Sequence, residues 1–295
     1  MGIIIKSTGV STDASNFSAL GHAVIAGRRA FEAGGIGPEG VDLLINVGIY
    51  RDENMVEPAM AAIIQKALGY RLDFPNAAMN WSFSFDLMNG AGGMLNAVQV
   101  ASAFLLNDKV KTALIVSGDA HPAKAAVPGF PFAAVGAAML LVKSDDATGF
   151  GALHTAISDD ATRGLEASVM CGPADKPGAA HQMNLRIDAN YEARLLDAAV
   201  SAVCTYAQTH GLDLSRTIVL PSQPSATFAR DLARRCELAA DHVVQVTGLD
   251  GDPHTSALAF AYAQLRDQGI PNGIDHLLFV GVGSGVTSTC IAYRL

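Results

Sequence analysis

The stretch that decides the fold runs Phe85-Asp86-Leu87-Met88-Asn89-Gly90-Ala91-Gly92-Gly93-Met94-Leu95, followed by a helical run and by Thr112-Ala113-Leu114-Ile115-Val116-Ser117-Gly118-Asp119. Gly90, Ala91, Gly92 and Gly93 set four small residues in a turn that opens a helix, a composition that permits close backbone approach. Tight helix packing is one reading of that run, and a wall against which a ligand can lie is the other. The second segment is an apolar run of the kind found in strands covered on both faces.

The same alternation extends outward in both directions. In the first half, helical periodicity covers 17–33, 57–68 and the residues after Asn89, with strands at 42–47, 113–117 and 137–142 and a further strand entered at the N-terminus. In the second half, helices are predicted over 188–210, 226–238 and 256–268, with strands at 217–221, 243–246, 276–280 and 287–293. The two halves repeat a supersecondary pattern rather than residues, which predicts two similar βα units, 1–148 and 149–295, joined near 145–151. Residues 157–178 mix Gly, Pro and charge and are the least regular part, read as a partner-facing or lid segment.

Composition narrows the class. At roughly 150 residues per domain, 295 residues make two modules or one duplicated body with a substantial core. Half the residues are hydrophobic, 16% are charged and the mean hydropathy is +0.27, a balance that favours α/β with covered strands. Twenty Lys+Arg against twenty-eight Asp+Glu give a formal charge of −8, the wrong sign for neutralising phosphates along a nucleic acid. Apolar segments are interrupted well before the roughly 20 residues a membrane span needs, and no signal-peptide pattern is seen. A soluble cytoplasmic protein is the expectation. Cys171, Cys204, Cys236 and Cys290 are widely spaced without a C-x-x-C pair, so neither a zinc site nor a disulfide framework is predicted and the thiols read as packing.

The turn from Phe85 to Leu95 resembles the nucleophile turn of the ketoacyl synthase III branch of the thiolase superfamily, and the resemblance extends over most of the chain. It implies a thiolase-like five-layered α/β fold from two similar βα halves. In that family a cysteine at a helix N-terminus attacks an acyl thioester, while a histidine and an asparagine polarise its carbonyl. Ala91 stands in the cysteine's place, with no lone pair to attack. Pro221-Ser222-Gln223-Pro224-Ser225 is similar to the family's Pro-His-Gln-Ala-Asn segment, which puts Ser222 at the histidine position. Gly251-Asp252-Pro253-His254-Thr255-Ser256-Ala257 is similar to a Gly-Asn-Thr-Ser-Ala segment, which puts His254 at the asparagine position, with Thr255 or Ser256 placed to cap the helix. Gly281-Val282-Gly283-Ser284-Gly285 looks like the glycine-rich turn of the oxyanion hole, and by position the donors are Ala91 and Ser284. The Gly-Asp of the family's Phe-Gly-Asp-Gly-Ala turn is missing from Phe132-Ala133-Ala134-Val135-Gly136.

The resemblance implies an acyl-CoA or phosphopantetheine-linked acyl substrate, an acyl carrier protein as partner, no tightly bound cofactor, no metal, and a homodimer or a heterodimer with a related ketosynthase. The family's segment that clamps coenzyme A is absent between 2–5 and the first helix, which favours a carrier protein over free acyl-CoA. Arg28-Arg29 can meet a phosphate or form a solvated helix face. His121 borders the expected site, and 159–163 reads as exposed loop charge. Two functions follow. One is a divergent acyltransferase or condensing enzyme of a specialised biosynthetic pathway, in which Ser222 and His254 form a nucleophile and base pair. The other is a non-catalytic ketosynthase-like partner subunit of the chain-length-factor type; a cysteine-to-alanine exchange at 91 that disables an enzyme is a third origin for the same residues.

Overall fold

The computed structural model describes residues 2–70, 82–107, 110–158, 164–169, 183–283 and 285–295. Its first sheet has the order β1-β5-β4-β2-β3, from β1 (Ile3–Ser11), β2 (Leu43–Asn46), β3 (Phe83–Asp86), β4 (Thr112–Asp119) and β5 (Val135–Lys143). The pairs β1/β5 and β5/β4 are antiparallel, while β4/β2 and β2/β3 are parallel. The second sheet has the order β6-β11-β10-β9, from β6 (Gly149–Ile157), β9 (Thr217–Pro221), β10 (His276–Gly283) and β11 (Thr287–Arg294). Its pairs run antiparallel, antiparallel, parallel in the same sequence as the first. A separate hairpin, β7 (Leu165–Val169) with β8 (Met183–Ile187), precedes the long helix of the second half.

Helices fill three layers around these sheets. α1 (Ala19–Gly34) and α2 (Met60–Leu68) cover the outer face of the first sheet, and α4 (Tyr191–His210) with α5 (Phe228–Arg235) covers the outer face of the second. Between the sheets lie α3 (Gly93–Leu105), touching β4, β10 and β11, and α6 (Ala257–Gln268), touching β1, β5, β9 and β10. The central core, with Leu43, Ile45, Ile115, Met139, Leu220 and Phe279 buried around Met94, Leu95 and Leu258, is therefore bounded by both sheets. That stacking explains why β4 and β10 read as continuous apolar runs: each is covered on both faces.

Three local readings are corrected. The segment 243–246 occupies the place that β3 has in the first sheet, but it makes only a single parallel bridge, Val243 to Val219, and is not a strand. Phe83–Asp86, read as part of a turn, is a strand, because its parallel register to Leu43–Asn46 supplies the hydrogen bonds that four residues cannot make alone. Gly149–Ile157 and the β7/β8 hairpin were not read from the sequence, because only part of β6 is buried and the hairpin is largely exposed, so an apolar pattern is weak in both. Cys171 and 159–163 lie outside the described residues.

Candidate active site

The C-terminal ends of β2, β4, β9 and β10 all run toward the N-terminus of α3, the position where open α/β sheets gather their ligands. Two acids organise the approach. Asp86, ending β3, accepts hydrogen bonds from Met60 N at 2.9 Å and Ala61 N at 2.7 Å, capping α2, and from Asn46 Nδ2 at 3.0 Å, and it pairs with Arg51 at 2.8 Å. Asp52 does the same for α1, accepting from Ala19 N at 2.8 Å and from the Ser18 hydroxyl.

The small residues before α3 are dictated by what presses on them. Gly90 has φ +52°, in the left-handed region that favours glycine. A Cβ on Gly281 of β10 would sit 2.8 Å from Gly92 Cα and 3.0 Å from Ala91 O, so strand and turn meet backbone to backbone. Close packing and a wall for a ligand are both present, because Ala91 and Gly90 also line a cavity of about 270 Å³. Ser222 and His254 line that same cavity, together with Tyr50, Tyr191 and Asp252. Ser284, the remaining site residue read from the sequence, lies outside the described residues.

Ser222 is 1% exposed, and its hydroxyl is engaged with β10: it donates to Val280 O at 3.4 Å and accepts from Val282 N at 3.1 Å. These bonds continue the ladder from Ser222 N to Val280 O at 2.8 Å. His254 is oriented from elsewhere. Its Nδ1–H donates to Asp119 Oδ1 at 3.1 Å, which leaves Nε2 as the ring nitrogen free of this contact. Asp119, fully buried at the end of β4, also accepts from Thr255 N at 3.4 Å, Thr255 Oγ1 at 2.7 Å and Ser256 Oγ at 2.8 Å. Thr255 and Ser256 thus serve the carboxylate rather than cap α6, whose N-cap Ser256 makes no side-chain cap bond. The backbone at His254 is itself constrained, with φ +44° in a region costly for a residue with a side chain, and its N–H donates to Asp252 Oδ1 at 2.7 Å. Such strain at a side chain aimed into a cavity marks a position held for its geometry.

Electrostatics follow from that burial. Burial works against a charged His254, but the hydrogen bond to Asp119 and the charges of Asp119 and Asp252 outweigh it and hold the imidazole pKa above its ordinary value. Burial pushes the Asp252 carboxyl up to about 6, with the positive charge of His254 opposing. Burial also raises the Tyr191 hydroxyl to about 12, reinforced by Asp252, and raises that of Tyr50. The His254 ring packs 4.2 Å from Phe132 and 5.6 Å from Tyr50, an aromatic cluster that favours the imidazolium through its ring faces.

Asp119, Tyr50, Tyr191 and Phe132 are the site residues that sequence reasoning missed. The one available signal was Asp119, the only charged residue of an otherwise uncharged eight-residue strand. His121 lines a neighbouring cavity instead, with Nδ1 accepting from Ala123 N at 3.0 Å. Arg28 and Arg29 are exposed and donate to Ala67 O and Val10 O. Among the described residues no group of three or more His, Cys, Asp or Glu is placed to hold a metal ion, and no helix is long and apolar enough to cross a membrane.

No protein-family model matches the chain. Among solved structures it is similar to 3-oxoacyl-[acyl-carrier-protein] synthase III from Aquifex aeolicus VF5, at 16% identity and TM-score 0.78 over the whole of both chains. It is similar to a histidine-to-alanine variant of OleA from Xanthomonas campestris, at 16% identity and TM-score 0.80 over all of this chain and 99% of the other. It is also similar to a priming beta-ketosynthase from a polyketide biosynthetic pathway, at 19% identity and TM-score 0.78, covering all of this chain and 96% of the other. The fold is the thiolase-like fold of these synthases.

Proposed function

We propose that the protein is a divergent ketoacyl synthase III-like acyltransferase that moves an acyl group from a thioester to a second bound substrate without forming an acyl-enzyme. The observation that carries this reading is the shared cavity, in which Ala91 leaves room above the start of α3 while His254, backed by buried Asp119, faces it. The thioester is carried by an acyl carrier protein or coenzyme A, and its carbonyl oxygen lies toward the small-residue turn at Gly90 and Ala91 that precedes α3. Ala91 N is a donor of this oxyanion site.

His254 Nε2 takes the proton of the acceptor's nucleophilic group as that group attacks the thioester carbon. The tetrahedral intermediate collapses with cleavage of the C–S bond, and the imidazolium returns the proton to the departing thiolate. Acyl thioester and acceptor thus become acylated acceptor and free thiol, and the protein ends unchanged. Asp119 holds the ring and stabilises its charged form. Ser222, its hydroxyl engaged with β10, shapes the cavity wall and holds its register.

The test is thiol release from butyryl-carrier protein or butyryl-CoA in the presence of a small alcohol or amine, with intact mass measured alongside. Release that falls about 10²–10⁴-fold in His254→Ala, little in Ser222→Ala, and leaves no adduct supports the reading. An adduct lost in Ser222→Ala would instead make that serine the nucleophile.

A second reading, a non-catalytic partner subunit of a cysteine-bearing ketosynthase, is favoured by the absence of a nucleophile at 91 and by the edge of the first sheet. Among the described residues β3 is the last strand there, Phe83 and Met88 are exposed, and Phe83 packs against Phe85 and Phe104. An open strand edge with an aromatic patch is a pairing surface, and a dimer through it, with a second copy or a related synthase, belongs to both readings. No thiol release, together with co-purification of a cysteine-bearing homologue, would favour the partner role.

A further inference from the structure

The cavity that holds His254 carries an unbalanced charge. Asp119 and Asp252 set two carboxylates against one imidazole: Asp119 Oδ1 accepts from the ring Nδ1 at 3.1 Å, and Asp252 Oδ1 accepts from the His254 backbone N–H at 2.7 Å. No Lys or Arg is among the described lining residues, and Arg194, buried in α4, acts on the Tyr191 hydroxyl without lining the cavity. The backbone of Asp252 is fixed against the segment that carries Phe132, its N–H donating to Pro131 O at 3.1 Å and its carbonyl accepting from Ala133 N at 2.9 Å. Burial pushes the Asp252 carboxyl up to about 6, so above that pH the described residues leave a buried carboxylate short of positive charge.

The remaining lining suits a cation. Tyr50, Phe132 and Tyr191 all belong to it, and the Tyr50 and Phe132 rings lie 5.1 Å apart. Ring faces carry negative potential and attract an ammonium within about 6 Å of the centroid. A neutral hydroxyl gains little from such walls, and a carboxylate would meet Asp252 with its hydration lost. With the imidazole charged, two carboxylates and one imidazolium leave one negative charge, which an ammonium cancels and an alkanoate doubles.

We propose that this cavity takes a small primary amine as the acyl acceptor, bound as its ammonium ion between Asp252 and the rings of Tyr50, Phe132 and Tyr191, so that the product is an amide. The proposal rests on the transfer reading above and names its second substrate. The bound ammonium gives one proton to His254 Nε2, and the freed lone pair attacks the thioester carbon. As the C–S bond breaks, the imidazolium protonates the departing thiolate, and the second proton passes from the new amide nitrogen to Asp252 and then to water. Acyl thioester and ammonium become amide, thiol and one proton.

The experiment is calorimetric titration of the full chain, without thioester, using butylamine, 1-butanol and butanoate at pH 7.5. Butylammonium is expected to bind at least about tenfold more tightly than 1-butanol, with butanoate the weakest of the three. Asp252→Asn, which keeps an acceptor for His254 N, is expected to bring butylammonium down to the level of 1-butanol, with thermal melts showing that it folds. A second readout needs no variant: loss of the Asp252 proton, and of the His254 proton above it, adds negative charge beside Asp119 while the Tyr50 and Tyr191 hydroxyls stay protonated, so butylammonium should bind more tightly at pH 8 than at pH 5. Equal binding of butylammonium and 1-butanol, binding unchanged in Asp252→Asn, or binding that does not tighten with pH would overturn the proposal. Butylammonium that binds as described yet is never acylated would leave the amine site standing and overturn the transfer reading instead.

Discussion

Replacing Asp119 with asparagine keeps the side-chain volume and removes the charge on which His254 depends. The native carboxylate accepts four hydrogen bonds in a fully buried position, one of them from the His254 imidazole. A hydrogen bond to a charged group is worth about 1.5–3 kcal/mol, so losing the charge costs a fraction of each bond plus all of the ion-pair contribution. The sign with pH is fixed by linkage. The native His254 pKa lies above 6.5, so its pairing with Asp119 stabilises fully below pH 6.5 and the contribution fades as pH rises through the native value. Asp119→Asn should therefore cost about 2–4 kcal/mol at pH 5 and about 1–2 kcal/mol at pH 9, measured by urea unfolding at the two pH values. In a chain of this size each kcal/mol lowers Tm by about 2 °C. Nuclear magnetic resonance of the His254 ring proton provides the direct test. With the carboxylate gone, burial acts with less opposition and the imidazole should titrate at lower pH than in the native protein. An unchanged His254 titration, or a destabilisation equal at both pH values, would refute the assignment of Asp119 as the group that holds this imidazole.

Ala91→Cys places a thiol at the start of α3, where the helix N-terminus lowers its pKa, and this variant is expected to gain an acyl adduct from an acyl thioester by intact mass. Its thiol should react with iodoacetamide well before Cys236, which burial pushes up to about 12, and before buried Cys290. The Asp252 carboxyl, raised to about 6 by burial, has its neutral form favoured in the folded state, so its contribution to stability is present below pH 3.8 and is lost as pH rises through about 6. Asp252→Asn should consequently raise Tm at pH 8 and leave it nearly unchanged at pH 4, as read by thermal melts. Gly281→Ala drives a methyl to within 2.8 Å of Gly92 backbone, and it should destabilise by about 1–3 kcal/mol in denaturant unfolding. Asp86→Ala removes the cap of α2 and strands Arg51 in a largely buried pair; a loss of about 3–5 kcal/mol by the same assay is expected.

The α/β class with covered strands was legible because its main evidence is local, whereas the five-layered arrangement came from the family resemblance. Leu43–Asn46, Thr112–Asp119 and His276–Gly283 are covered on both faces, so their burial is written as unbroken apolar runs that need no partner to be recognised. Helices 19–34, 191–210 and 257–268 carry their own periodicity and glycine stops, Gly35, Gly211 and Gly269. Phe83–Asp86 and the segment at 243 show the limit. Both are short stretches at a sheet edge, and only the register of the neighbouring strand makes one a strand and leaves the other a single bridge.

The residues at positions 91, 222 and 254 were found by resemblance, and that Ala91 carries no nucleophile follows from its chemistry alone. What each side chain does there depended on neighbours sixty or more positions away. His254 bonds to Asp119 across 135 positions, Ser222 to Val282 across 60, and Gly281 of β10 packs against the backbone of Ala91 and Gly92. One-dimensional pattern records how each segment meets apolar surroundings, since burial repeats with the period of the backbone. The direction of a hydrogen bond between distant segments has no period, so the dyad at the base of the cavity was decided only when the two sheets closed over α3 and α6.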